Sequence, residues 1–437
     1  MSQKKTINFL VEGGRKLSGS VTTKTAKNSA VSLLCASLLN KGKTTLVDMP
    51  RIEEVKRIIE VLESLGVSFI WKKNNLIITP PKKLSFGKLN KEAAMRTRSA
   101  LMLIGPVSHL LKSFSIPQAG GCKLGSRTVR PHFFALEELG IKIETTEKAY
   151  SISSKGMKKN REIILYESGD TVTENILMAA AKIEGKTTIK FASANYMVQD
   201  LCHFLERLGI KIEGIGTTTL VVHGKKEIEE NIEFRPGEDP IESMLFLSIA
   251  ATTNSSIIIK ACPIDFLELE LLKLGKMGFK YKILKKYTSK NGHTRLVDIK
   301  TLPSKLISLE EKITARPFPG MNIDNLPFFV PIAMQAKGQT LIHDWVYENR
   351  AIYYMELTKL GGNMVLADPY RVYIEGPTKF KPAEIVCPPA LRPAAIILIG
   401  MLAAPGTSIL RNVYSINRGY EDLANRLRKL GAKIRII

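Results

Sequence analysis

The chain has 437 residues, of which 44% are hydrophobic, and it carries a formal net charge of +23 at pH 7. Its length favours two or three domains over a single ordinary core. The longest apolar run, 394–404, falls short of the roughly 20 residues of a membrane span, and the start lacks the apolar core of a signal peptide, so we expect a cytoplasmic protein without a membrane partner.

The positive charge suits either nucleic acid or an anionic small molecule. The lysines are scattered over surface-like segments such as WKKNN and ILKKYTSK, and no RNA-binding, zinc-finger or arginine-rich signature accompanies them. We therefore interpret most of the charge as a solvated basic surface. A non-catalytic repeat protein that binds nucleic acid is the alternative from another functional class.

Five cysteines, an odd number with no CxxC pair, favour neither a disulfide framework nor a zinc site. No dinucleotide fingerprint is present either, so we expect no metal and no cofactor. Four of the cysteines lie in apolar segments and are predicted to be core residues. The fifth, Cys122, is the exception.

In chain order, the sequence repeats one pattern six times. A helix ends in an apolar-x-x-apolar-Gly segment and an alternating strand follows: LESLGVSFI, LEELGIKIE, LERLGIKIE, LGKMGFKYK, LTKLGGNMV and LRKLGAKIR. The glycines are Gly66, Gly140, Gly209, Gly278, Gly361 and Gly431. Glycine directly after the last helical residue is typical of a helix C-terminus that ends in a residue of left-handed backbone conformation. The alternation of apolar and polar residues that follows predicts a strand.

A second repeated piece, an apolar helix followed by a turn and a strand, precedes five of these segments, as in LLCASLLNKGKTTLVDMP. The segment in the second unit, ALMLIGPVSHLLKSFSIPQ, is atypical. Each unit is too small to bury its apolar helices alone, whereas three units make a domain of ordinary size. The pattern predicts an α/β protein of two similar domains, with apolar helices at the centre and sheets outside.

The segment QAGGCKLGSRTVRPH places Cys122 among Lys123, Arg127 and Arg130, and no Asp or Glu occurs in 93–136. Neighbouring cations stabilise a thiolate and lower the pKa of a cysteine. The segment also provides the charge that an anion needs. These features indicate a reactive thiol beside an anion-binding site.

The six units and the segment G120-G-C-K-L-G-S-R127 resemble the enolpyruvyl transferase family over essentially the whole chain. The resemblance implies two inside-out α/β domains, here 27–235 for the first and 1–26 with 236–437 for the second. It also implies transfer of the enolpyruvyl group of phosphoenolpyruvate to a sugar hydroxyl with release of phosphate. The cysteine loop favours the branch that acts on UDP-N-acetylglucosamine in peptidoglycan synthesis, since the G-T-A-M-R-P-type motif of the shikimate-pathway branch is absent.

The resemblance assigns chemistry to two residues. Cys122 is the general acid that protonates the methylene carbon, and its presence implies alkylation by fosfomycin. Asp324, in FPGMNIDNLP, takes the proton of the sugar hydroxyl, with a helix N-cap as its alternative or additional role.

Five cations are assigned to phosphoenolpyruvate by the same resemblance: Lys27, Arg98, Arg127, Arg392 and Arg418. Arg96, two positions before Arg98, is expected at the surface, because the two side chains would point to opposite sides of a helix. The expected partners are thus small molecules, phosphoenolpyruvate and a nucleotide sugar, with no nucleic acid, and the expected state is a monomer.

The residues that the resemblance places at the acceptor are Asn28, Arg130, His132, Thr173, Glu174, Asn175, Asp239, Tyr347 and Arg350. This side departs from the family pattern, because Arg130 replaces an aspartate and Pro240 replaces an arginine. The segment G169-D-T-V-T-E-N175 also differs from the family's S-V-G-A-T-E-N. An enolpyruvyl transferase with a different nucleoside or sugar acceptor is therefore the alternative within the family.

Overall fold

The computed structural model describes residues 7–118 and 128–437. The described residues fall into two compact units: a first unit of 25–118 and 128–237, and a second unit of 7–24 and 238–437. The domain division from the sequence, 27–235 for the first domain and 1–26 with 236–437 for the second, stays a prediction. Within the described residues, no helix is long and apolar enough to cross a bilayer.

The first unit contains three sheets among its described residues. Their strands, in order across each sheet, are Ile232–Phe234, Thr44–Leu46, Asn75–Thr79 and Ser68–Lys72; then Ser113–Pro117, Ala149–Ser153 and Lys142–Thr145; then Lys211–Glu213, Thr219–Gly224, Gly185–Lys190 and Glu162–Ile164. Each four-stranded sheet has one parallel pair at an edge and antiparallel pairs elsewhere.

The second unit also has three sheets. Their strands, in the same sense, are Glu384–Val386, Gly406–Arg411, Phe9–Gly13 and Lys433–Ile436; then Lys280–Thr288, Arg295–Leu302, Ile258–Pro263 and Ser20–Thr22; then Ile313–Thr314, Gly338–His343, Arg371–Gly376 and Asn363–Asp368. Phe9 lies opposite Leu410 on one side and Ile436 on the other. The first strand of the described residues thus lies inside a sheet whose other strands come from 384–436.

Helices complete both units. The α-helices of the first unit are Lys27–Ala36, Glu53–Ser64, Lys91–Met95, Ile104–Val107, Arg130–Glu138, Asp170–Ala180 and Tyr196–Arg207, and its 3₁₀ helices are Ser37–Leu39, Phe86–Lys88 and Arg98–Leu103. The α-helices of the second unit are Pro240–Thr252, Glu268–Lys276, Phe329–Gln335, Leu391–Ala403, Tyr414–Asn417 and Leu423–Lys429, and its 3₁₀ helices are Ile264–Phe266, Leu326–Phe328 and Ala351–Leu360.

The six described sheets correspond to the six sequence repeats, three in each unit, which confirms the predicted α/β architecture. The second repeat, predicted to be atypical, forms the sheet with three described strands. All six repeat glycines adopt left-handed φ values between +82° and +100°. Other residues are strained at such angles, so these positions require glycine, as the pattern predicts.

Largely buried helices form the centre of each unit. All residues of Pro240–Thr252 are buried, and this helix packs against Phe329–Gln335 and Leu391–Ala403. A helix that is apolar on every side is stable only when neighbours surround it. In the first unit, Gly105 allows the helix Ile104–Val107 to approach Asp170–Ala180 closely, because an added Cβ would lie 2.5 Å from the carbonyl oxygen of Asn175.

Candidate active-site residues in the two units

In the first unit, Lys27 and Asn28 begin the buried helix Lys27–Ala36. Lys27 Nζ donates to Asn28 Oδ1 at 3.2 Å, and Asn28 Nδ2 donates to the hydroxyl of Tyr196 at 3.1 Å. Tyr196 is 3% exposed and opens the helix Tyr196–Arg207. It therefore orients Asn28, a function that the sequence analysis missed because 168 residues separate the two.

Arg98 begins the 3₁₀ helix Arg98–Leu103, and its Nη2 donates to the carbonyl oxygen of Thr128 at 2.7 Å. Arg96 is exposed, as predicted, and pairs with Glu92. The reason differs from the predicted one, because the α-helix ends at Met95 and the two arginines do not share a helix.

Arg130 opens the helix Arg130–Glu138 and is exposed, and its guanidinium lies 5.7 Å from the ring centroid of Phe134. His132, in the same helix, is 4% exposed. Its Nδ1 lies 3.3 Å from Asn175 Nδ2, and its Nε2 lies 3.3 Å from the hydroxyl of Thr171. Arg130 thus remains available at the surface, whereas His132 is enclosed.

Burial, with a smaller contribution from Arg98, lowers the pKa of His132 to about 3. The imidazole is therefore neutral at neutral pH. An unfolded histidine has a pKa near 6.5, so the unfolded chain binds a proton below that value while the folded chain does not. This residue consequently stabilises the fold less as the pH falls from about 6.5 towards 3.

We expect the stability difference between the native protein and His132→Gln to depend on pH. Because the variant cannot bind this proton, its deficit relative to the native protein should shrink by about 2 kcal/mol from pH 7 to pH 5. Chemical denaturation at the two pH values measures the difference. An equal deficit at both values would show that the pKa of His132 in the folded protein is close to its value in the unfolded chain.

Thr173, Glu174 and Asn175 are each at most 2% exposed. The hydroxyl of Thr173 donates to the carbonyl of Gly169 at 2.8 Å, and Asn175 Nδ2 donates to the carbonyl of Leu101 at 2.9 Å. The acceptor-binding role of these residues stays a prediction. Their bonds show that Thr173 and Asn175 shape the interior of the unit.

Glu174 is a buried acid. Burial first, and repulsion from Asp170 and Asp200 second, raise its pKa well above the usual range, while a hydrogen bond with Ser32 opposes the rise. Its Oε1 has no hydrogen-bond partner among the described residues. This setting favours the neutral form of Glu174, since an unpaired carboxylate is costly there.

In the second unit, Asp324 is partly exposed and lies beside two arginines. Its Oδ2 accepts from Arg392 Nη2 at 3.2 Å, and its Oδ1 lies 3.8 Å from Arg350 Nη1. The alternative role of Asp324 as a helix N-cap is wrong, because the next helix begins at Leu326 and its cap is Asn325. The carboxyl group contacts the guanidinium groups of Arg392 and Arg350.

Both arginines are themselves held by buried oxygens. Arg350 is 1% exposed, and its Nε and Nη2 donate to Asp344 at 2.6 and 2.8 Å. Arg392 is 6% exposed, and its Nη1 donates to the hydroxyl of Tyr420 at 2.9 Å. The sequence analysis did not identify Asp344 or Tyr420, because the resemblance assigned a role to neither residue.

The remaining predicted residues of this unit have different settings. Asp239 is the N-cap of Pro240–Thr252, and its Oδ1 accepts from the amides of Ile241 and Glu242. Tyr347 is half-buried, with the Arg350 guanidinium 4.5 Å from its ring centroid. Arg418 is half-buried and follows the helix Tyr414–Asn417.

Cys122 and Arg127 lie outside the described residues. The four other cysteines are buried, as predicted. Burial raises the pKa of Cys262 and Cys387 to about 12, and it raises the pKa of Cys35 and Cys202 further. These four thiols are therefore unreactive in the folded protein.

The described residues provide the means for proton transfer and for anion binding. Asp324 is a carboxyl group beside two arginines, and Lys27 and Arg98 supply cations in the first unit. Within the described ranges, no three His, Cys, Asp or Glu side chains are grouped to hold a metal ion. In the second unit the carboxyl group and the arginines suit acid-base chemistry, and in the first unit the cations suit the binding of an anion.

Comparison with known proteins defines the class of protein. Residues 11–427 match the family model of EPSP synthase (3-phosphoshikimate 1-carboxyvinyltransferase). The chain therefore belongs to this family, the enolpyruvyl transferases, as the sequence predicts, and it is a transferase.

Individual relatives have names that are more specific than the name of the family. The chain is 31% identical to UDP-N-acetylglucosamine 1-carboxyvinyltransferase of Bradyrhizobium diazoefficiens, over 98% of each chain. It is 32% identical to the protein of the same name from Treponema denticola, over 98% of this chain and 99% of the relative.

Solved structures support the fold. The enolpyruvyl transferase NikO from Streptomyces tendae superposes with a TM-score of 0.85 at 22% identity, over 99% of each chain. EPSP synthase from Acinetobacter baumannii superposes with a TM-score of 0.77 at 18% identity, over 99% of this chain and all of that one.

Proposed function

We propose that this protein transfers the enolpyruvyl group of phosphoenolpyruvate to the 3'-hydroxyl of UDP-N-acetylglucosamine, with release of phosphate, in the first committed step of peptidoglycan synthesis. The observation that carries the proposal is the Asp324 carboxylate between Arg350 and Arg392, in a chain that is 31–32% identical to relatives of that name. The alternatives, another acceptor or a nucleic-acid-binding scaffold, are not favoured by these relatives. We further propose a cytoplasmic monomer that needs neither cofactor nor membrane.

The reaction adds a hydroxyl across a carbon-carbon double bond and then restores the bond. In our proposal Asp324 takes the hydroxyl proton as the oxygen attacks the carbon that bears the phosphate, and Cys122 gives a proton to the methylene carbon. Loss of phosphate and of one proton from that carbon then regenerates the vinyl group. Both steps are acid-base catalysis, which lowers barriers when the groups are positioned.

Phosphoenolpyruvate carries a phosphate and a carboxylate, so its binding requires several cations. We assign this function to Lys27, Arg98, Arg127, Arg392 and Arg418. The orientation of Arg392 by Tyr420 supports the assignment, because a guanidinium in a fixed position binds an anion at less entropic cost.

The test is phosphate release from phosphoenolpyruvate by the purified protein. We expect release only when UDP-N-acetylglucosamine is present, and loss of release after fosfomycin treatment. Because the four described cysteines are buried, mass spectrometry should find a single adduct, on Cys122.

The control is Cys122→Ser, which should remain unmodified by fosfomycin and inactive. Phosphate release that is independent of the acceptor would contradict the proposal. If no release occurs with this acceptor while phosphoenolpyruvate still protects Cys122 from alkylation, the acceptor assignment is wrong.

A further inference from the structure

A connected set of buried polar groups adjoins Asp324 in the second unit. The hydroxyl of Tyr354 donates to Asp344 Oδ2 at 2.5 Å, and Asp344 receives two further hydrogen bonds from Arg350. The opposite edge of the guanidinium, at Nη1, lies 3.8 Å from Asp324 Oδ1. Asp344, Arg350 and Tyr354 are at most 1% exposed, so water does not replace these contacts.

The backbone places these groups together. Asp344 follows the strand Gly338–His343, and its amide donates to the carbonyl of Tyr370 at 2.7 Å. Arg350 immediately precedes the 3₁₀ helix Ala351–Leu360, which carries Tyr354. Arg350 Nη2 also donates to the carbonyl of Ile323 at 2.9 Å, so one guanidinium contacts both the carboxylate of Asp324 and the backbone before it.

Charge explains why the set has this composition. A guanidinium without water needs a compensating negative charge, and Asp344 supplies it with two-point geometry. Burial first, and then the charge of Asp344, keep the pKa of Tyr354 far above its usual value, although Arg350 opposes the rise. Tyr354 thus remains a proton donor, and it fixes Asp344.

We propose that Asp344 and Tyr354 are positioning residues for the general base: they hold Arg350 so that its Nη1 edge faces Asp324. This inference rests on the proposed function, in which Asp324 accepts the acceptor's proton. Arg350 then acts through Asp324, and a direct contact with the acceptor is unnecessary.

Other titratable groups near Asp324 bear on its ionisation. Arg392 contacts it directly, and Tyr420 lies behind Arg392. Burial, followed by the charges of nearby acids, raises the pKa of Tyr420 although Arg392 opposes the rise. Glu270 accepts from the amide of Asn322, and burial also raises its pKa. None of these groups changes in the variants below.

The direct test measures the ionisation of Asp324. In Asp344→Asn, Arg350 loses its countercharge, so Asp324 becomes the nearest compensating carboxylate. We expect its pKa to fall by about one unit, measured from the pH dependence of its carboxyl ¹³C resonance. The resonance is assigned by its absence in Asp324→Asn. An unchanged pKa in Asp344→Asn would overturn the proposal.

Kinetics provide the second test. We expect Tyr354→Phe to lower kcat about 3- to 10-fold with KM nearly unchanged, because the base is displaced while the binding groups remain. If Asp344→Asn does not fold, Tyr354→Phe alone tests the proposal. A kcat of Tyr354→Phe equal to that of the native protein would overturn the proposal.

The unit also contains a matched control pair. The hydroxyl of Tyr287 donates to Asp298 Oδ1 at 2.8 Å, in the hairpin Lys280–Thr288 and Arg295–Leu302. Tyr287→Phe and Asp298→Asn remove the same groups elsewhere, and both should leave kcat and the Asp324 pKa unchanged. If the proposed function is wrong, the native protein will show no turnover. The NMR titration needs no turnover, so it tests the positioning of Asp324 independently of that outcome.

Discussion

Replacing Asp324 by asparagine is expected to lower kcat about 1000-fold, because general-base catalysis contributes roughly 10²- to 10⁴-fold. Asparagine keeps the size of the side chain and retains an oxygen that can accept from Arg392, but it cannot take a proton. The KM for phosphoenolpyruvate should change little. Steady-state phosphate release, with circular dichroism to verify the fold, measures the effect.

Asp298→Asn is the matched control for this change. Asp298 is likewise a half-buried carboxylate of the second unit, and it accepts from Tyr287 and from the amide of Ala261. Its replacement should leave kcat near the native value. If Asp324→Asn retained more than a tenth of the native kcat, Asp324 would not be the base.

The largest effect on stability is expected at the buried ion pair between Glu242 and Arg426. These side chains are 3% and 8% exposed, and Arg426 donates to both carboxylate oxygens at 2.5 and 2.9 Å. Arg426 also donates to the carbonyl of Thr22, and Glu242 accepts from the amide of Lys24. The pair therefore joins the N-terminal segment of the second unit to two of its helices.

Arg426→Met should lower the free energy of unfolding by about 3–5 kcal/mol, because it leaves the Glu242 carboxylate buried without its cation. Urea denaturation of the variant measures the loss. The exposed pair Lys359 and Glu356 supplies the control, since Lys359→Met should cost less than about 1 kcal/mol.

A double-mutant cycle separates the pair from the packing of its members. In Glu242→Gln combined with Arg426→Met, no charge is left buried alone, so the combined loss should be smaller than the sum of the two single losses. Strictly additive losses would show that the two charges do not depend on each other.

The repeat architecture could be read from the sequence because its signals are local. A glycine after the last helical residue, such as Gly66 or Gly431, reports a left-handed φ whatever surrounds it. The apolar run at 394–404 indicates a buried helix, since it has no polar face to place in water. Motifs are also short stretches of sequence, so they could identify the family and predict Asp324 to be the base.

Other features of the candidate site depended on residues distant in sequence. The sequence left a helix N-cap as an alternative or additional role of Asp324, and only the folded chain placed Arg392 beside it, 68 residues further on. Thr173 and Asn175 were nominated as acceptor ligands, whereas their burial depends on how helices pack around them.

By itself, then, the sequence determined the six repeats, their glycine caps, their buried helices and the enolpyruvyl transferase family. The tertiary structure decided which side chains orient the candidate base and which charges are buried. The physical reason is the sequence separation over which each signal acts. Backbone caps and hydrophobic periodicity act within a few residues. The partners of Arg350 and Arg392 are instead selected by packing, which brings Asp344 and Tyr420 into hydrogen-bonding distance and excludes water from both contacts.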